Sequence, residues 1–405
     1  MTTPLPFEGL KVLDLSWVVV GPTTAKYLGD HGATVVRVEA ATPLDILRTA
    51  GPFKDNVPGF DRSQFFGEYN TSKLGISLNL KSPAGKEIAK RLIEWADVFI
   101  ESFTAGTVDS LGIGYETARE LNPSIIMVST CLMGQTGSAA AFSGFGFHAG
   151  SIAGFYETTG WSDLPPDGPW VAYTDTVAPH ILSASIMAAL DHRRRTGQGQ
   201  FIDASQLEMS LHFLSPQIMD YSTTGKTVTR IGNRSEFFAP QGAYPCAGDD
   251  RWCAIAVESE EHWEGLKSAM SDPDWALDGK LDSMEARLEN HDAIDQHIGE
   301  WTKDQDAKAL MQLLLSHRVP AGVVQRSSDL ETDPQLSHRS YFRHLEHQEM
   351  GTVPYAGHQF RIKGYDSGPL FASPVLGQHN EQVLRDVLRM TDDEITQAII
   401  GEAIM

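Results

Sequence analysis

Asp175 is the carboxylate whose setting in this sequence suggests chemistry. It stands in "YTDT", directly before an apolar segment, 177–190, that leads into the basic run Arg193–Arg195. Apolar residues recur there at helical spacing, the arginines suit a last turn and Gly197 supplies a stop, so we predict a helix. A carboxylate at a helix N-terminus can cap exposed N–H groups, or it can be an ionised nucleophile presented at a sheet edge. The local sequence is compatible with both roles.

Motifs for other chemistries are absent or incomplete. "GFGFHA" (Gly144–Ala149) matches a dinucleotide fingerprint by letter, but the segment before it is loop-like, so we interpret it as a loop. The sequence contains neither a P-loop nor a GxSxG elbow. The two histidines of "HLEHQE" (His344–Glu349) lie in a polar stretch typical of a solvated face, and Cys131 has no evident activating neighbour. We therefore predict no metal site and a buried, inert thiol.

Composition narrows the range of partners. A formal net charge of −21 over 405 residues disfavours non-specific binding to nucleic acid or to an anionic membrane. An anionic ligand would need a focused site of local cations, backbone N–H groups or helix N-termini. No run approaches the roughly 18 apolar residues of a membrane span, and the N-terminus lacks a signal-peptide core, so we expect a cytoplasmic protein. The three cysteines, with no close CxxC pair, predict neither disulfides nor zinc.

Strand and helix patterns alternate along the first third of the chain. The predicted strands are Leu10–Ser16, Thr34–Glu39, 97–102 and 125–130. This alternation predicts an α/β fold, with a Rossmann-like parallel sheet covered by helices on both faces. Turn-rich β-like runs and then helical patterns follow, so we predict a large domain over 1–225 and a smaller α+β domain over 226–330. The helical part 331–405 is expected to return to the large domain.

Longer stretches resemble CoA-transferase family III, which includes formyl-CoA transferase and crotonobetainyl/carnitine CoA-transferase. They include "GLKVLDLSWVVVGPTTAKYLGDHGATVVRVEA", "YNTSKLGISLNLKSPAGKE", "ADVFIESFTAGTVDSLGIGYE", "LNPSIIMVSTCLMGQTG", "HRRRTGQGQFIDAS" and "LGQHNEQVLRDVL". Each stretch alone is weak evidence for the resemblance. Their order and spacing over nearly the whole chain are specific.

This resemblance implies that Asp175 is a covalent nucleophile. Its carboxylate would attack an acyl-CoA thioester to give a mixed anhydride and CoA thiolate, which would return to form an aspartyl-CoA thioester. An acceptor acid would then receive the CoA. Donors for the tetrahedral intermediates would come partly from a glycine-rich loop of the small domain, whose nearest match here is "RIGNRSEF" with Gly232. The implied partners are an acyl-CoA and a free carboxylic acid, with CoA thioesters as substrates and no permanently bound cofactor.

The resemblance also implies a set of CoA-binding residues by position. They are Val19, Val20, Asn70, Ser72, Lys73, Ser102, Phe103, Met133 and Gly134. Ala40 and Ser110 stand where formyl-CoA transferase has arginines. Lys73, Arg37 and Arg48 would replace the missing charge, or they would form structural ion pairs.

Three alternatives remain at this point, and one of them is a Rossmann dehydrogenase that would share only the fold. An acyl-CoA racemase or isomerase is disfavoured, because Phe145 and Gly146 occupy the places of the racemase His-Asp pair. A non-catalytic subunit of a heteromeric transferase would explain the missing CoA contacts, but not the retained Asp175. The family's architecture implies an interlocked dimer, either a homodimer or a heteromer with a related subunit. Trp17, Val18, Val19 and Phe145 hint at an apolar or aromatic acyl group, while a dicarboxylate donor such as succinyl-CoA is common in the family.

Overall fold

A computed structural model describes residues 4–277, 279–366 and 368–404. They form two compact units. The first comprises the described residues within 1–155, 168–226 and 334–405, and the second those within 156–167 and 227–333. The structure thus groups 156–167 with the second unit. The sequence-based domain limits remain a prediction.

The first unit is built on a six-stranded parallel sheet. Its strands are β1 (Lys11–Asp14), β2 (Thr34–Glu39), β3 (Lys73–Ser77), β4 (Val98–Glu101), β5 (Ile126–Cys131) and β6 (Gln200–Ser205). They lie in the order β3-β2-β1-β4-β5-β6, and every pairing is parallel. This is the Rossmann order, in which successive strands are added to one side of β1 as far as β3 and then, from β4 onward, to its other side. The predicted α/β, Rossmann-like fold is confirmed.

Alternate strand residues face two separate apolar cores. Leu13 and Phe99 belong to one core, and their neighbours Val12 and Val98 belong to the other. Strands buried on both faces read as continuous apolar runs, which explains why β1, β2, β4 and β5 were predictable. The edge strands β3 and β6 carry more polar residues and were missed.

Helices cover both faces of this sheet. In the first unit they are α1 (Val20–Asp30), α2 (Gln64–Glu68), α3 (Pro83–Trp95), α4 (Thr107–Leu111), α5 (Tyr115–Leu121), α6 (Gly146–Ala153), α8 (Tyr173–Thr196), α9 (Gln206–Leu211), α10 (Ser215–Thr224), α17 (Pro334–His338), α18 (Asn380–Gln382) and α19 (Asp392–Ile400), with α7 (Phe155–Thr158) at the unit boundary. The core containing Val12 is closed by α1 and α8, through Leu28, Leu182 and Ile186. The core containing Leu13 is closed by α3 and the C-terminal segment.

The C-terminal segment is not one continuous helix. A π-helical turn, Val383–Val387, follows α18, and α19 starts after a break with a capping box between Thr391 and Glu394. Val383 and Ala398 nevertheless join the core that contains Leu13. A hairpin of β10 (Phe342–His347) and β11 (Gly351–Ala356) completes the unit.

The second unit is a small α+β assembly. Its antiparallel strands are β7 (Gln241–Cys246), β8 (Arg251–Ala256) and β9 (Ala321–Val323). Its helices are α11 (Glu260–Ala269), α12 (Asp274–Leu277), α13 (Met284–Glu289), α14 (His291–Thr302), α15 (Ala307–Ser316) and α16 (Ser327–Glu331). They enclose a core of their own around the fully buried Trp263.

Candidate active site around Asp175

The predicted helix α8 starts earlier than its apolar pattern indicates. It begins at Tyr173 with Ala172 as the N-cap residue, so Asp175 is the third residue of the helix. The N–H of Asp175 donates to the carbonyl oxygen of Ala172 at 2.8 Å. Its carboxylate accepts a hydrogen bond from the side chain of Gln206. Asp175 is therefore not the N-cap residue, and its side chain is held by a residue of another helix.

Burial dominates the electrostatics of Asp175. The residue is 7% exposed. Desolvation raises its pKa to about 7, and the hydrogen bond from Gln206 opposes this shift only in part. A carboxylate that titrates near neutrality in a cleft is typical of a functional group. Pro179 adds a backbone effect: lacking an N–H, it leaves the carbonyl of Asp175 without its partner four residues on.

Gly146 makes room for the carboxylate. A Cβ atom on Gly146 would lie 2.5 Å from Oδ1 and 2.7 Å from Cγ of Asp175. The carbonyl of Gly146 also accepts a hydrogen bond from Oγ1 of Thr174 at 3.1 Å, which ties the starts of α6 and α8 together. In the sequence, Gly146 was notable only because it occupies the place of a racemase base. The glycine-rich "GFGFHA" was the available signal that a close approach occurs here.

Asp175 borders a cavity of about 140 Å³ at the carboxyl ends of β1, β4 and β5. Its lining includes Trp17, Val18, Val19, Val20, Ser102, Thr104, Cys131, Leu132, Phe145, Gly146 and Gln206. This is the reversal point of the sheet, where open α/β proteins bind ligands. We call it the sheet-edge cavity. The structure thus brings Val19, Val20 and Ser102, from the predicted CoA set, together with Asp175.

The wall of this cavity is a strained loop between β1 and α1. Val18 has a φ of 66°, in the left-handed region that β-branched residues seldom adopt. Its N–H donates to Oδ2 of Asp45 at 3.2 Å, and the N–H of Trp17 donates to Oγ of Ser102 at 2.7 Å. The carbonyl of Ser16 accepts from Arg37 at 2.9 Å. These bonds hold a conformation that the local sequence disfavours.

Arg37 and Arg48 form buried ion pairs. Arg37 contacts Asp45 at 2.7 Å, and Arg48 contacts Glu39 and Asp61, each at 2.7 Å. Both arginines are at most 1% exposed. These contacts favour the expectation that the two arginines form structural ion pairs over the alternative that they bind CoA. A charge so enclosed is not free to meet a CoA phosphate.

Asn70, Ser72 and Lys73 are also occupied within the protein. The Lys73 ammonium donates to Asp14 at 2.8 Å and to Asn70 at 2.9 Å, and its burial lowers its pKa to about 8. The Ser72 hydroxyl donates to Asp30 at 2.5 Å. All three residues are at most 2% exposed. This geometry argues against direct CoA contacts from these side chains.

The other predicted CoA residues lie next to the sheet-edge cavity. The ring of Phe103 packs edge-on against Trp17, with centroids 6.0 Å apart, and its N–H donates to Glu101 at 2.8 Å. Met133 and Gly134 directly follow the lining residue Leu132, and their N–H groups contact the thiol of Cys131.

The other motifs noted in the sequence agree only partly with their predicted roles. The loop interpretation of "GFGFHA" is wrong from Gly146 onward, where α6 begins, but the described residues 132–145 contain no strand. Burial raises the pKa of Cys131, so its half-buried thiol stays protonated. His347 is buried rather than solvated, and its Nδ1 accepts two backbone N–H bonds. Gly232, in the second unit, packs against Trp161.

Within residues 4–277, 279–366 and 368–404, no group of three or more His, Cys, Asp or Glu side chains is arranged to hold a metal ion. Over the same described ranges, no helix combines the length and the apolar character that crossing a membrane requires.

Known proteins resemble this chain along most of its length. The family model described as CoA-transferase family III matches residues 7–380. A succinyl-CoA–D-citramalate CoA-transferase of Chloroflexus aurantiacus is 29% identical over 97% of this chain and 96% of its own. A succinyl-CoA:mesaconate CoA-transferase of Haloarcula marismortui is 32% identical over 93% and 95%.

A solved structure has a similar fold. The crystal structure of a CAIB/BAIF family protein from Brucella suis superposes with a TM-score of 0.87 and 29% identity, covering 95% of this chain and 100% of that one. With the parallel sheet, the cavity at its reversal point and the family match in hand, this chain belongs to CoA-transferase family III and is a CoA-transferase.

Proposed function

We propose that the protein moves CoA from an acyl-CoA donor to a carboxylic acid acceptor through covalent intermediates on Asp175. The observation that carries this proposal is the setting of that carboxylate: 7% exposed, at the start of a helix and bordering the sheet-edge cavity. Burial removes the water that would otherwise solvate the nucleophile, while the helix N-terminus favours the ionised form.

The first half-reaction transfers CoA to the enzyme. An Asp175 oxygen attacks the thioester carbonyl carbon, and the carbon–sulfur bond breaks to give a mixed anhydride and CoA thiolate. The thiolate then attacks Cγ of Asp175, and the anhydride bond breaks to release the donor acid. The product is an aspartyl-CoA thioester.

The second half-reaction runs the same steps in reverse with the acceptor acid. Its carboxylate attacks Cγ of Asp175 and displaces CoA thiolate, which then attacks the acceptor's acyl carbon and regenerates Asp175. Every nucleophile and leaving group is an anion, so no step requires a proton transfer. This matches a site without the His-Asp pair of the racemases.

Developing negative charge requires hydrogen-bond donors. Gly146 is the first residue of α6, so its N–H has no intrahelical acceptor, whereas the N–H of the preceding Phe145 already donates to Nδ1 of His148. Phe145 and Gly146 line the same cavity as Asp175. We assign the N-terminus of α6 to stabilising the tetrahedral oxyanions, a type of stabilisation worth about 3 kcal/mol per donor in other enzymes.

The named relatives provide the first donors to test. Their names specify succinyl-CoA with citramalate, mesaconate or glutarate, and one specifies acetyl-CoA with oxalate. The protein should be incubated with a panel of acyl-CoAs and examined by intact-mass spectrometry beside Asp175→Ala. A CoA adduct that maps to Asp175, reacts with hydroxylamine and is lost in the variant supports the proposal.

The competing non-catalytic subunit predicts a different result. It would bind CoA without forming an adduct with any donor. The family resemblance also leads us to propose an interlocked homodimer, which light scattering coupled to size exclusion would test. A monomer that forms the adduct would contradict the dimer alone.

A further inference from the structure

Asp175 also borders a second cavity, of about 250 Å³, which we call the α1–α8 cavity. It lies among α1, α8 and the chain that follows β11. Asp175 and Val19 are the residues shared between its lining and that of the sheet-edge cavity. The nucleophile therefore stands where two cavities meet, and each cavity can hold one side of a reacting thioester.

The sheet-edge cavity fits the thioester arm of CoA. It opens at the carboxyl ends of the strands and is lined by Val20, Ser102 and Thr104, with Asp175 as its titratable carboxylate. The α1–α8 cavity is then left for the acyl chain. At about 250 Å³ it is larger than the sheet-edge cavity and has room for a chain of several heavy atoms.

The charges around the α1–α8 cavity are unfavourable for another anion. Lys26 is the one lysine or arginine among its described lining residues, and it already contacts Asp30 at 2.7 Å. Asp30 is fully buried and also accepts hydrogen bonds from Thr71 and Ser72. Lys26 therefore carries little uncompensated charge.

Glu68 adds a further acidic group to this cavity. Its burial raises its pKa, which shows that the surroundings already disfavour negative charge. His358 offers no compensation, since burial lowers its pKa to about 4 and the imidazole is neutral at pH 7. Arg343, whose charge acts on His358, is paired with Asp366. A second carboxylate bound here would face Glu68 and a mutually neutralised Lys26–Asp30 pair in a poorly solvated space.

Neutral hydrogen-bonding groups are available instead. Within the described part of the chain, Nε2 of His358 and Oγ1 of Thr23 are buried without a hydrogen-bond partner. Both residues line the cavity, as do Tyr69 and Tyr341, whose rings add aromatic surface. Buried polar atoms are normally satisfied, so unpartnered ones point to a ligand or water that supplies the missing bond.

We propose that the α1–α8 cavity binds the acyl chain of the acid exchanged on Asp175, and that this acid is a monocarboxylate with a neutral, hydrogen-bonding tail. This inference rests on the proposed function and specifies its substrate class. It separates the protein from relatives whose names specify dicarboxylates.

The test compares acceptors that differ only in the charge of the tail. CoA transfer from an acyl-CoA that forms the adduct is measured with glutarate against its monoamide, and with adipate against 6-hydroxyhexanoate. We expect kcat/KM to be at least 100-fold higher for each neutral-tailed acid. Equal or higher values for the dicarboxylates, with the Asp175 adduct present, would overturn the inference and leave the proposed function intact. Absence of both adduct and transfer would overturn both.

Two variants probe the cavity itself. Glu68→Gln removes a carboxylate and should lower the ratio of kcat/KM for the neutral-tailed acid to that for the dicarboxylate at least threefold. The control is Glu94→Gln, at an exposed position on α3, which should leave this ratio unchanged. Ser183 lines the cavity from α8, and Ser183→Leu should shift the preference towards shorter acids. Unchanged chain-length preference in a folded Ser183→Leu protein would place the acyl chain elsewhere.

Discussion

Gly146→Ala is the smallest change that should separate folding from catalysis in this protein. The added methyl would lie 2.5 Å from Oδ1 and 2.7 Å from Cγ of Asp175, and 2.8 Å from Cβ of Ala172. Favourable carbon contacts occur near 3.5 Å, so the carboxylate must move by about 1 Å. The carboxylate can do so by side-chain rotation, whereas the contact with Cβ of Ala172 is relieved only by a small shift of the backbone between α6 and α8.

A displacement of that size is costly for a nucleophile. Misplacing a reacting group by about 1 Å can lower a rate about 100-fold, which corresponds to about 2.7 kcal/mol in the barrier. Stability should fall by about 1–3 kcal/mol, the usual cost of overpacking, which the better helix propensity of alanine offsets only in part. We therefore expect a folded protein with a kcat/KM about 100-fold lower.

The assay is CoA transfer with the best donor and acceptor pair, together with the rate of adduct formation on Asp175. Thermal unfolding by circular dichroism reports folding. Gly322→Ala is the matched control, because its new Cβ meets no atom within 4 Å. A Gly146→Ala protein that keeps more than half of the wild-type kcat/KM would refute the assigned close approach.

Four other substitutions or conditions test the site. Since the pKa of Asp175 is raised to about 7, kcat/KM should rise with pH through 7 and level off near 8; a flat profile from pH 5.5 to 8 would contradict this. The folded protein binds a proton at Asp175 more tightly than the unfolded chain does, so this residue stabilises the fold less as pH rises from about 4 to about 7. Over that range the unfolding free energy of Asp175→Asn, measured in urea melts, should therefore rise by about 2–4 kcal/mol relative to that of the wild type. Asp45→Asn loosens the strained Val18 loop and should raise KM for the acyl-CoA about tenfold with a smaller effect on kcat; an unchanged KM would deny the loop that role. Lys73→Met removes the shortest ion pair of the buried Asp14 and leaves it Arg37, at 3.4 Å, and Ser16 as partners, so the variant should lose about 3 kcal/mol of unfolding free energy but no CoA affinity. A stable variant with weak CoA binding would instead restore the CoA-contact interpretation.

The sequence pattern predicted the strands that are buried on both faces and the helix whose apolar residues recur at regular spacing. The strands β1, β2, β4 and β5 are apolar on both faces, so their runs are visible in the sequence. The helical spacing after Val177 predicted the body of α8, although not its start. The edge strand β6, with the exposed residues Phe201 and Asp203, was missed because it is covered on one side only.

By itself, the sequence determined the fold class, the family and the choice of Asp175 as the candidate nucleophile, because these depend on patterns and motif order along the chain. Only the tertiary structure decided what surrounds that carboxylate. Its raised pKa comes from burial, and its space comes from Gly146, 29 positions earlier in the sequence. The same holds for Lys73, which sequence position assigned to CoA and the fold pairs with Asp14. Desolvation and close approach are set by residues distant in sequence, so no local pattern encodes them.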